Sequence, residues 1–91
     1  MLKLEKAYVV DVAEAAADFA LGGRGAVIQN LSDTYYAYIH LKDSDGREAT
    51  PANSFIVAPQ QYLDMRDIAV HTLSFLGEGN LSLLVAASVE V

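Results

Sequence analysis

Apolar and polar residues alternate along much of this chain with a period of two, the signature of extended strands that turn one face to a core. The longest such run closes the sequence. Leu81, Leu83, Val85, Ala87, Val89 and Val91 alternate with Ser82, Leu84, Ala86, Ser88 and Glu90 over eleven residues. Fully extended, that run spans about 36 Å. It demands a sheet, because a lone strand leaves its apolar face and its backbone donors and acceptors unpaired. Near the start, Leu2, Leu4, Tyr8, Val10 and Val12 share one parity, with Lys3, Glu5 and Asp11 on the other. This predicts a first strand over residues 2–12, whose opening residues 1–6 form either a flexible or a partner-pairing arm.

Residues 11–23 admit two readings. Asp11 followed by Glu14 matches a capping box, Ala13, Ala15, Ala16 and Ala17 favour helix, and Gly22-Gly23 would end one. That places one short helix near residues 12–20. The rival reading makes residues 18–21 a short strand entering a glycine turn at Gly22-Gly23-Arg24-Gly25, and the strand-rich surroundings favour it.

From Gly25 onward the pattern is plainly β. Residues 26–29 form a short strand, and Asn30-Leu-Ser-Asp33 turns by side-chain to backbone bonding. Residues 35–42 alternate cleanly, with Tyr35, Ala37, Ile39 and Leu41 on one side and Tyr36, Tyr38, His40 and Lys42 on the other. Asp43-Ser-Asp-Gly46 carries the Asp-Gly pair favoured in hairpins. A polar link containing Pro51 leads to a short strand at Phe55, Ile56 and Val57, closed by Pro59. Residues 61–65 read as a brief strand, residues 68–76 alternate again, and Gly77-Glu-Gly-Asn80 turns into the final strand. Turns recurring at this spacing predict one all-β domain over residues 1–91, a small antiparallel β-sandwich of jelly-roll or Ig-like type.

Composition narrows the function classes. The apolar fraction of 53% is ample for a core in a chain of 91 residues. With no cysteine there is neither a thiolate nucleophile nor a Cys-type zinc site. Twelve acids against six bases give a net charge of −6 with no basic cluster, so nucleic acid is not an expected partner. No apolar run reaches the roughly eighteen residues that span a bilayer, and residues 1–6 lack a signal peptide's apolar centre, so no membrane partner is expected.

The candidate chemistry is thin. Asp43, Asp45, Gly46 and Glu48 resemble part of a calcium loop, but glycine stands fourth instead of sixth and the ligand series stops, so a turn is the better reading. The glycines at 22, 23 and 25 lack the lysine of a phosphate loop. His40 and His71 have no third ligand in register, and no serine sits in a nucleophile motif. Asn30-Leu-Ser32 and Asn80-Leu-Ser82 fit a glycosylation pattern, which a chain without a signal peptide does not use. No cofactor, metal or catalytic set is expected. What stands above this background is the aromatic face of Tyr36, Tyr38 and His40, which is either covered by neighbouring segments or used between subunits.

The order of features over residues 25–91 resembles the small β-sandwich virion proteins of tailed bacteriophages. Val27-Ile-Gln-Asn-Leu-Ser32 leads into Tyr35-Tyr-Ala-Tyr-Ile39, then the polar link Ala49-Thr-Pro-Ala-Asn-Ser54, the segment Leu63-Asp-Met-Arg-Asp67, and Gly77-Glu-Gly-Asn80 with the closing strand. The resemblance implies a structural role, most naturally capsid decoration or cementing, with service at the head–tail junction as the other role such proteins have, for a chain made in the host cytoplasm and located in the virion. It implies contacts of the chain with itself as a homo-oligomer and with a major capsid or other virion protein. The residues expected at those contacts are Leu2, Leu4, Tyr36, Tyr38, Val89 and Val91. A second expectation is a carbohydrate- or peptide-binding module in which tyrosines stack on sugar rings and Asp33, Asp43 and Asp45 accept hydroxyl hydrogen bonds.

Overall fold

The computed structural model describes the backbone of residues 2–90 and the side chains of residues 7–87. The fold is all-β and antiparallel. Six strands, β1 (Leu2–Val12), β2 (Ala17–Asn30), β3 (Ala37–Leu41), β4 (Phe55–Val57), β5 (Tyr62–Gly77) and β6 (Leu81–Glu90), form one sheet in the order β1-β6-β2-β5-β3-β4. A single helical turn, α1 (Lys42–Asp45), follows β3.

The sheet makes two layers because its two longest strands run through both. In the first layer, residues 17–20 of β2 pair with residues 72–75 of β5, which pairs in turn with β3, and β3 with β4. In the second, residues 26–30 of β2 lie between β6 and residues 62–65 of β5, and β1 closes the outside of β6. The layers of the expected sandwich are thus joined by hydrogen bonds into one sheet. Between them the register of β2 against β5 steps twice, at Ala20/Arg24 and at Arg24/Ala26. Leu21, Gly22 and Gly23 bulge opposite His71, with Gly22 at φ 66° and Gly23 at φ 90°. Residues 66–69 bulge opposite Gly25, which the Met65 and Arg66 carbonyls approach so closely that only glycine fits. Paired bulges bend strands sharply, and here they fold the sheet over.

The glycine segment is therefore the bend of a continuing strand and reverses nothing, and the two strands expected at 61–65 and 68–76 are one strand, β5. The helix considered near residues 12–20 is absent. Residues 13–16 are a short link, and Ala17 to Ala20 pair with Phe75 to Thr72. Alanine propensity yields to a tertiary arrangement in which Phe19 meets Tyr8 edge-on at 5.6 Å and Phe75 at 5.7 Å. Asp11, available in sequence as a helix cap, accepts a hydrogen bond from Ser82 Oγ instead.

One core lies between the layers. Leu81, Leu83, Val85 and Ala87 of β6, Ala26 and Ile28 of β2, Ala37 and Ile39 of β3, Leu73 and Phe75 of β5, and Val57 of β4 are all buried in it. Asn30 is the buried polar group at its margin. Its Nδ2 donates to the Tyr35 and Val57 carbonyls at 2.8 and 3.1 Å, and its Oδ1 accepts from the Ser32 amide at 2.9 Å. This one side chain sets the turn after β2 and ties it to the end of β4.

Candidate functional site

The outer faces of the two layers differ in what covers them. On the first layer, cross-strand register aligns Tyr38 with Ile56 and Leu76, and His40 with Ser74. These positions point away from the core, yet His40 and Ser74 are buried. The connection from β3 to β4, residues 42–54 and including α1, lies over them. Ala49 donates its amide to Ser74 Oγ at 2.8 Å. His40 Nδ1 sits 3.0 Å from the Asn53 carbonyl oxygen and its Nε2 2.7 Å from Asp45 Oδ1.

α1 anchors this cover. Its C-terminal Gly46 adopts φ 72° and donates to the Lys42 carbonyl, so the expected Asp-Gly hairpin turn is a helical turn within a longer crossing loop. Asp43 accepts the amides of His71 and Thr72 at 2.7 and 2.9 Å, opposite the bulge of β2, and these amide dipoles, His71 first, hold its carboxyl below the ordinary value. Asp45 is lowered as well, first by its hydrogen bond with His40 and then by the Arg47 amide. Lys42 reaches back to Asp18 at 2.7 Å, which raises its pKa.

The outer face of the second layer carries no such cover among the described residues. Its register lines up Val9, Leu84, Gln29 and Tyr62 across β1, β6, β2 and β5, with Ala7, Ala86, Val27 and Asp64 in the adjacent row. Val9 and Tyr62 are each 66% exposed, and Leu84, Val27 and Ala86 between them are half-buried. Asp11 and the pair Asp64–Arg66, whose guanidinium donates to both carboxylate oxygens at 2.7 and 3.0 Å, rim the face. An apolar patch with a polar rim is the usual form of a protein-binding surface.

Of the residues expected at contacts, Tyr36 is exposed just before β3, its carbonyl accepting from the Glu78 amide. Tyr38 is half-buried between Ile56, 59% exposed, and Leu76. Leu2, Leu4 and Val89 fall where β1 pairs with β6 of the same chain, Leu2 opposite Glu90, Leu4 opposite Ser88 and Val89 opposite Lys3. Their side chains lie outside the described residues, and Val91 does so entirely. Tyr36 and Tyr38 do not join Val9 and Tyr62, which lie on the other layer. Sequence reading missed that second group because its members come from four strands and only the register assembles them.

Asp43 and Asp45, considered for sugar hydroxyls or calcium, face different partners inside the chain, and no group of three His, Cys, Asp or Glu among the described residues is placed to hold a metal ion. A shallow depression of about 390 Å³ where β1 ends and β6 begins is lined by Asp11, Val12, Ala13, Asn80, Leu81 and Ser82. Its one carboxylate is already bonded to Ser82. Comparison with protein-family models, with curated proteins and with solved structures finds no match to this chain.

Proposed function

We propose that this chain is a non-catalytic structural protein that works by docking against other protein subunits, as a decoration or cement component of a tailed-phage virion. The observation that carries the contact reading is the uncovered apolar face of the second layer, with Val9 and Tyr62 at its ends. The virion setting is supported by the order of strands, turns and aromatic positions over residues 25–91.

Magnitudes favour a many-copy assembly. Burying Val9 and Tyr62 contributes about 1.5–3 kcal/mol each, whereas association costs about 4–15 kcal/mol in lost freedom. Two anchors on one copy together reach only the lower end of that range, so useful affinity needs the rest of the face, repetition on a lattice or a further contact between copies. The carbohydrate-binding alternative is less well supported, since Asp43 and Asp45 are engaged with the chain's own amides and with His40.

The test is co-sedimentation of the purified chain with phage shells assembled without it. Saturable binding that is lost in the double variant V9E/Y62E supports the reading. Wild-type chain that stays in the supernatant overturns it.

A further inference from the structure

His40 is buried on the outer face of the first layer, and both nitrogens of its ring meet oxygens that only accept hydrogen bonds. We propose that this ring is a pH-sensitive latch: as the imidazolium it pins residues 42–54 to the sheet, and on losing a proton it frees them and uncovers the outer face of β3 and β5. The latch lies on the layer opposite the docking face and does not depend on the virion reading.

Donors and acceptors carry the case. Nδ1 lies 3.0 Å from the Asn53 carbonyl oxygen, which has no proton to give. Nε2 lies 2.7 Å from Asp45 Oδ1, which also accepts the Arg47 amide at 2.9 Å, as a carboxylate does. A ring protonated at both nitrogens satisfies the two partners, whereas a neutral ring turns one lone pair toward an oxygen. The Asn53 carbonyl is not free to turn away. Asn53 Oδ1 accepts the Thr50 amide at 2.8 Å and its Nδ2 donates to the Glu48 carbonyl at 3.0 Å, which fixes the turn that presents it. Burial sharpens the mismatch, because solvent does not repair it.

The groups around the ring come from every neighbouring element. Ser74 of β5 stands opposite it and is uncharged, and the exposed His71 lies further along the same strand. β4 brings no titratable side chain. Asp18 of β2, opposite Ser74, is paired with Lys42 at 2.7 Å. Tyr38 shares the ring's face of β3, and the cover contributes Asp43, Asp45, Arg47 and Glu48. Carboxylates at 18, 43, 45 and 48 thus outnumber the cations Lys42 and Arg47, surroundings that suit a positive ring. What the charged ring contributes to closure is present at low pH and is lost as pH rises.

The experiment is amide hydrogen exchange of the full chain at about pH 5 and about pH 8, corrected for intrinsic rates, with the ring nitrogen shifts read by NMR. The Ala49 amide, bonded to Ser74 Oγ, reports closure of the cover, and the amides of β6 report the sheet. His40 and His71 are the side chains of this chain that ordinarily change charge in that interval. Opening at Ala49 is expected to rise about tenfold or more from the lower pH to the higher, the scale of a lost charge-assisted hydrogen bond, while β6 stays protected. Both nitrogens of His40 are expected to carry protons at the lower pH. D45N supplies an amide that donates to a neutral ring, so it is expected to abolish the rise, with β6 protection showing that the variant is folded. H71Q is expected to keep the rise. A cover equally closed at both pH values, a rise that survives in D45N or disappears in H71Q, or a His40 nitrogen without its proton at the lower pH overturns the proposal.

Discussion

A β-carbon placed on Gly25 would lie 2.4 Å from the carbonyl oxygen of Met65. The bend that folds the sheet over is built on this approach, so Gly25→Ala forces the backbone of β2 and β5 apart. The expected loss exceeds about 3 kcal/mol, a large share of the stability of a domain this small. Gly22 is a control within the same bend. Nothing lies within 4 Å of its would-be β-carbon, but its φ is 66°, so Gly22→Ala costs only about 1 kcal/mol. Urea unfolding of the two variants checks the ratio, and similar losses would contradict the bend.

Asn30→Ala leaves the Tyr35 and Val57 carbonyls and the Ser32 amide without their partner at the margin of the core. The expected cost is about 2–4 kcal/mol, or a fall of about 8–30 °C in melting temperature. Differential scanning calorimetry reads it directly. Asn30→Asp keeps the acceptor and loses both donated bonds, so it is expected to be destabilised as well.

Asp43 and Asp45 both titrate below their ordinary value of 3.8 in the folded chain, Asp43 chiefly through the His71 amide and Asp45 chiefly through His40. A depressed folded pKa contributes stability that is fully present above the unfolded value and is lost as pH falls through the folded one. The cover over His40 is therefore expected to loosen in acid, below about pH 4. Asp43→Ala removes its share of that dependence, so its unfolding free energy should fall less steeply with acid than the wild type's. Equal slopes for the two proteins below pH 4 would count against the role of Asp43 as the anchor of α1.

How far the sequence discloses this fold depends on whether a signal is local. The alternation of Leu81, Leu83, Val85 and Ala87 is local, and those residues are buried on one face. Asn30 announces its turn because its bonds to Ser32 and Tyr35 are short-range. Gly22 to Gly25 read equally well as a turn or as a bend, since positive φ serves both, and only pairing with β5 decides. Residues 66–69 interrupt the period and so divide one strand into two apparent ones. The covered state of His40 and the assembly of Val9, Leu84 and Tyr62 rest on contacts across the sheet, which no window of sequence contains.

The measurement that bears most directly on the proposed virion role is quantitative mass spectrometry of phage particles purified from cells that produce this chain. A structural virion component is present in a fixed copy number per particle, and particles produced with V9E/Y62E in its place are depleted of it. Particles that lack the chain altogether, while it accumulates free in the infected cell, would contradict the account.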